Sequence, residues 1–224
     1  MTHQRVGADA ALAAFRAGDP VLIHDFADRE GETDLVYPAG AVTATDVARL
    51  RNDAGGLVCV AVPDDAARAF GLSFLADELD HPAADGGDLS YDDRSSFSLP
   101  VNHRETFTGI TDEDRALTIS ELAAAAETAR SDHAYDQTTF AESFRAPGHV
   151  HVLRGAPDGL ADRAGHTELG LALAEAAGVQ PAVVVCEMLD DDTGRALTPE
   201  AGRAYADHNG FPYVDGEELI ERLS

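Results

Sequence analysis

Residues Val21-Leu22-Ile23, then Asp28-Arg29-Glu30-Gly31-Glu32-Thr33-Asp34, then Leu35-Val36-Tyr37 read as an apolar strand, an acidic connection and a second apolar strand. Side chains alternate between faces in extended backbone, so Glu30, Glu32 and Asp34 share one face while Arg29 takes the other or sits at a bend. Hard oxygen ligands grouped in this way favour Mg2+ or Mn2+ over zinc, and the arginine suits an anionic substrate. The competing reading is an acidic loop that merely joins two strands, because the chain carries 41 Asp plus Glu against 16 basic residues.

Outward from this pair, Ala8 to Ala17 has helical spacing with Ala11, Leu12 and Phe15 on one side, and Gly18-Asp19-Pro20 stops it before a strand from Val21 to Phe26. Leu35 to Ala39 is the second strand. A helix beginning at Thr45-Asp46 buries Val47 and Leu50, Gly55-Gly56 ends it, and Leu57 to Val62 is a buried strand followed by a short helix at Pro63-Asp64-Asp65. Residues His81 to Asp93 offer little to bury and read as a surface loop. Further strands are expected over Ser95 to Val101, His149 to Leu153 and Ala182 to Met188. Further helices are expected from Thr111-Asp112, from Ser120 to Arg130, and over Thr167 to Ala177, Pro199 to His208 and Glu217 to Leu223. No repeat or linker interrupts the pattern. The expectation is one α/β (α+β) domain over residues 1–224, three layers with helices flanking a mixed, twisted sheet.

With 224 residues and 44% hydrophobic content, the chain is long enough for one substantial core. No run approaches the ~18 apolar residues of a membrane helix, and the start lacks a signal-peptide core, so a cytoplasmic protein is expected. Cys59 and Cys186 lie in apolar strand-like runs and read as buried free thiols; two cysteines cannot build a cysteine zinc site. Every basic residue is arginine. That excludes a Schiff-base or P-loop lysine, and it argues against a nucleic-acid partner. The formal charge of -25 should repel itself unless counter-ions screen it. Screening at ~1 M salt shortens the Debye length to about 3 Å, so the composition reads as adapted to a salt-rich cytoplasm.

A second constellation, Arg163-Ala164-Gly165-His166-Thr167-Glu168, precedes an apolar helix. Its free backbone N–H groups, the Arg163 guanidinium and the Thr167 hydroxyl form a phosphate cradle that needs no lysine. The plainer alternative is a helix capped by Thr167 with His166 exposed. His149 and His151 share a face of one strand entered through Pro147-Gly148, and Glu187 ends an otherwise apolar strand.

The order of these blocks resembles the 3,4-dihydroxy-2-butanone 4-phosphate synthases of riboflavin biosynthesis. The resemblance is carried by Val21-Leu22-Ile23 leading into Asp28 to Asp34, by Gly56-Leu57-Val58-Cys59, and by Thr106 to Thr111 with Asp114-Arg115. Pro147-Gly148-His149-Val150, Arg163 to Glu168 and Cys186-Glu187 complete it. It runs from about Asp19 to the C-terminus and looks like the archaeal form of the motif. Bacterial relatives carry Arg-Glu-Asn-Glu-Gly-Asp over residues 29–34 and glycine where Ala164 stands.

The resemblance implies conversion of D-ribulose 5-phosphate to L-3,4-dihydroxy-2-butanone 4-phosphate and formate through an enediolate, with one or two Mg2+ (or Mn2+) ions and no organic cofactor. Glu30 and His166 would be the metal ligands. Arg29, Glu30, Asp34, Thr108 and the loop Arg163, Ala164, Gly165, His166, Thr167 would contact the sugar phosphate. His149, Glu187 and Glu32 would serve catalysis. The family further implies a homodimer with shared active sites, so that His149 serves the partner's metal. The length of 224 residues and the two cysteines leave no room for a fused GTP cyclohydrolase II domain with its cysteine zinc site, so a monofunctional chain is expected. Three rival readings stand beside it. One is a sugar-phosphate isomerase or aldolase sharing the enediolate chemistry, and another is a nucleotide-binding or tRNA-modification module, which would want a basic groove. The third is a calcium-binding loop, whose required glycine would fall on Thr33 and whose terminal glutamate would fall on Ala39.

Overall fold

A computed structural model describes residues 7–25, 31–84 and 95–223. Among the described residues seven strands form one mixed sheet: β1 (Val21–His24), β2 (Thr33–Pro38), β3 (Cys59–Val62), β4 (Phe97–His103), β5 (Phe144–Arg154), β6 (Val183–Glu187) and β7 (Tyr213–Asp215). Their spatial order is β4-β5-β3-β6-β2-β1-β7. Strands β3–β5 and β1–β7 pair parallel, and the other neighbours pair antiparallel.

Helices α1 (Ala8–Ala17), α7 (His166–Ala177) and α9 (Gly216–Leu223) cover one face, packing Leu12, Phe15, Leu169, Leu173 and Leu219 on Ile23, Val36, Ala61, Val183 and Val185. The other face is covered by α2 (Ala44–Asp53), α3 (Asp64–Ala69), α5 (Asp112–Ser131), α6 (Gln137–Ser143) and α8 (Pro199–Asn209), through Val47, Leu50, Ile119, Leu122, Phe140 and Ala206. A one-turn helix, α4 (Leu75–Glu78), precedes β4. Burial on both faces explains why β3, and β6 up to Cys186, are apolar instead of alternating. Each fully buried leucine contributes about 2 kcal/mol of hydrophobic stabilisation.

Several boundaries differ from the sequence reading. The helix starts expected at Thr111-Asp112 and at Ser120 belong to one 20-residue helix, α5. Thr111 Oγ1 caps it by accepting the Asp114 N–H, while the Ser120 hydroxyl, instead of starting a new helix, donates back to the Leu117 carbonyl. Strand β5 starts at Phe144, five residues before the expected His149, because its first half pairs with the end of β4 across a register shift. Helix α6 and the three-residue β7 were not expected. Asp136 caps α6 by accepting the Thr138 and Thr139 N–H groups. Strand β1 ends at His24, two residues before the expected Phe26, which lies outside the described residues. The expected surface loop 81–93 begins with a turn of 3-10 helix at Pro82–Ala84, and its remainder from residue 85 lies outside the described residues.

Candidate active site

Cross-strand register gathers the predicted residues. Asp34 of β2 opposes Glu187 of β6, Val185 of β6 opposes Cys59 of β3, and Cys59 opposes His151 of β5. Directly opposed residues share a face, so all five open on the face covered by α1, α7 and α9. Helix α7 begins only at His166 and leaves that end of the face uncovered. A cleft remains there, lined by Asp34, Cys59, Phe97, Arg163, His166 and Glu187 among others.

Asp34 is fully buried, and its Oδ2 lies 3.8 Å from Nδ1 of the equally sheltered His166. Arg163 reaches the cleft from the turn before α7, with its Nε 3.7 Å from Glu168 Oε2. Glu168 is 1% exposed, and its Oε1 accepts the Ala156 N–H at 3.0 Å. Burial pushes the Glu168 carboxyl above the ordinary carboxylate range, while the Arg163 charge and the Ala156 N–H pull against it. Ala164, Gly165 and Thr167 build the turn between and after Arg163 and His166; Gly165 and Thr167 are buried. The N-cap residue of α7 is Gly165, which supplies no side-chain cap, and a helix N-terminus of this kind suits an anion. Cys59 is held as a neutral thiol: burial pushes its ionisation up, and the neighbouring Cys186, Glu187 and Asp34 add to the rise. That rise argues against a thiolate nucleophile at Cys59. Burial alone lowers His151, which packs edge-on against Phe97.

Arg29 and Glu30, and with them half of the expected metal pair, lie outside the described residues. The two ends of that segment are defined. Asp25, 3% exposed, donates its N–H to the Glu32 carbonyl and accepts the Glu32 N–H on Oδ1 at 2.9 Å. Asp25 was missing from the sequence reading; a carboxylate directly after an apolar strand was the available signal. Glu32 is half-buried beside it. Glu168 was also missed as a site residue, although a carboxylate starting an apolar helix marks it.

Two expected residues lie apart from the cleft. Thr108 sits exposed in the loop before α5, its N–H and hydroxyl both directed at Asp114 Oδ2. His149 is exposed on β5, two residues before His151, and is held by Asn102 of β4.

Chemically, the cleft joins carboxylates and an imidazole, a donor set that suits a hard divalent ion, to a guanidinium at a helix N-terminus, which suits a phosphate. Among the described residues no three His, Cys, Asp or Glu side chains converge closely enough to hold a metal by themselves.

Residues 9–222 match the family model of 3,4-dihydroxy-2-butanone 4-phosphate synthase. The chain is 49% identical over 222 residues to the 3,4-dihydroxy-2-butanone 4-phosphate synthase of Archaeoglobus fulgidus, covering 95% of this chain and 92% of that one. It is 48% identical over 221 residues to that of Methanosarcina mazei, covering 94% and 88%. Among solved structures it is similar to the Candida albicans synthase, with a TM-score of 0.79 at 27% identity, covering 99% of this chain and 100% of that one. It is also similar to a synthase solved in complex with two magnesium ions, with a TM-score of 0.76 at 27% identity, covering 97% and 96%.

Proposed function

Because the chain belongs to the 3,4-dihydroxy-2-butanone 4-phosphate synthase family, we propose that it converts D-ribulose 5-phosphate to L-3,4-dihydroxy-2-butanone 4-phosphate and formate, a step of riboflavin biosynthesis. The observation that carries this reading is the meeting of Arg163 and the uncapped start of α7 with Asp34, His166 and Glu187 in one cleft. Phosphate recognition and proton chemistry thus sit side by side.

In this reading the substrate phosphate rests on Arg163 and the N–H groups from Ala164 to Thr167, with Arg29 and Asp34 turned to the sugar. Glu30 and His166 would hold Mg2+ or Mn2+, with Glu30 also touching substrate; the magnesium-bound relative supports this choice. A divalent ion there would offset the negative charge that develops on the enediolate oxygens. Glu32 and Glu187 would take and return protons beside the ketone. The missing lysine excludes imine chemistry at the carbonyl.

The exposure of Thr108 and His149 outside the cleft supports a homodimer in which each copy completes its partner's site. Phe107, next to Thr108, is 92% exposed, an unusual place for a large apolar side chain. The protein is expected to work in the cytoplasm at high salt as a single domain. The test is incubation with ribulose 5-phosphate and Mg2+ in molar KCl, with formate assayed. Stoichiometric formate is expected, and its absence, with isomerised or cleaved sugar instead, would refute the reading. Glu30→Gln and His166→Ala should each abolish turnover while the protein stays folded; activity retained in both removes the metal assignment.

A further inference from the structure

At the β4–β5 register shift, Gly148 lies so close to its neighbour that a Cβ there would stand 1.9 Å from the Val101 carbonyl carbon. This approach brings the His149 N–H to Asn102 Oδ1 at 2.8 Å. The ring Nδ1 of His149 then lies 3.2 Å from Asn102 Nδ2 and 3.3 Å from Oδ1. Asn102 is 4% exposed. Gly109, at φ +89°, gives its amide room, since a Cβ there would overlap all three terminal atoms of the Asn102 side chain.

These contacts decide where the ring proton sits. A backbone N–H can only donate, so the 2.8 Å bond turns the amide with Oδ1 toward His149 N and Nδ2 toward the ring. The hydrogen-bond acceptor that Nδ2 finds is His149 Nδ1. A proton on Nδ1 could still be accepted by the second lone pair of Oδ1, 3.3 Å away, but it would leave the buried Nδ2 donor without its ring acceptor, an arrangement folded proteins avoid. The alternative, with the lone pair on Nδ1 and the proton on Nε2, keeps both the bond from His149 N–H to Oδ1 and the bond from Nδ2–H to the ring.

We propose that Asn102 is a positioning residue that holds neutral His149 as its Nε2–H tautomer, so that His149 meets a substrate oxygen as a hydrogen-bond donor and not as a base. The functional half of this proposal rests on the preceding reading that His149 takes part in the reaction. A neutral imidazole donor stabilises negative charge as it develops on an oxygen. Proton abstraction then falls to carboxylates, Glu32 or Glu187.

The test uses the full-length protein in molar KCl. Long-range 1H–15N spectra of the His149 ring, assigned by comparison with His149→Ala, should show Nε2 protonated and Nδ1 bare. In Asn102→Asp the carboxylate still accepts the His149 N–H but cannot donate to the ring, so the proton should move to Nδ1. The value of kcat should then fall about 10²-fold with KM changed less than about twofold. A wild-type ring protonated at Nδ1 overturns the tautomer assignment, and this measurement decides it even if Asn102→Asp fails to fold. Unchanged kcat in a folded Asn102→Asp whose ring proton has moved overturns the functional half. Full turnover in His149→Ala would instead refute the catalytic role of His149, while the wild-type spectrum still decides what Asn102 does.

Discussion

Replacing Gly148 with alanine should separate β4 from β5 at the point where His149 is held. The added Cβ would meet the Val101 carbonyl carbon at 1.9 Å, and the Asn102 nitrogen and Val101 oxygen at 2.3 Å, all of them backbone atoms. Non-bonded carbons need about 3.5 Å, so the strands must part locally by roughly 1.5 Å. The 2.8 Å bond from His149 N–H to Asn102 would then pass out of hydrogen-bond reach, and the ring contact with it. Two lost hydrogen bonds at about 1 kcal/mol each, with the strain of overpacking, come to about 4 kcal/mol. For a chain of this size that lowers the melting temperature by roughly 10 °C. Gly178→Ala is the control, because Gly178 has a φ of +70° but open space around it. Backbone strain alone should cost it about 1 kcal/mol. Thermal unfolding followed by circular dichroism in molar KCl distinguishes the two. A Gly148→Ala melting temperature within about 2 °C of wild type would mean that the strands do not approach as described.

Two further outcomes are expected. The Asp114 carboxyl is held below the ordinary range chiefly by the Gly109 N–H, with the Phe107 and Thr108 N–H groups and the Thr108 hydroxyl adding to it. A depressed folded-state value means that its hold on the loop is fully present above the unfolded value of about 3.9 and is lost as pH falls through the folded value. Amide shifts of Phe107, Thr108 and Gly109 should therefore stay flat above that value and titrate together below it; a midpoint at or above it would contradict the bonding. The melting temperature should also climb steeply with KCl into the molar range, because salt screens the -25 charge. Equal melting in dilute and molar salt would rule this out.

The sheet could be read in the sequence largely because its central strands are buried on both sides. Val58 to Val62 and Val183 to Cys186 are buried throughout, so apolar content alone located them. Three-residue β7 has too few side chains to show a period, and α6 depends on the Asp136 cap more than on an apolar stripe. Period two puts His149 and His151 on one face but could not separate their fates. One packs against Phe97, and the other is exposed and tied to Asn102. Residues whose chemistry is local to a motif, such as Arg163 and His166, were legible. Asp25 and Asn102 were not, because their roles exist only through bonds to Glu32 seven residues on and to His149 on the neighbouring strand.

The pairing of Asp34 with Glu187 across β2 and β6 has one more consequence. Two carboxylates directly opposed in a ladder repel each other, so the sheet carries a point of electrostatic tension in its interior order and not in a dispensable loop. The divalent ion proposed for Glu30 and His166, beside that point, would bind the folded chain and not the unfolded one, and its affinity would add to fold stability by mass action. Occupancy of the site and persistence of the sheet become two readings of a single equilibrium. In a cell whose free divalent ion concentration varies, the lifetime of this chain would vary with its readiness to act.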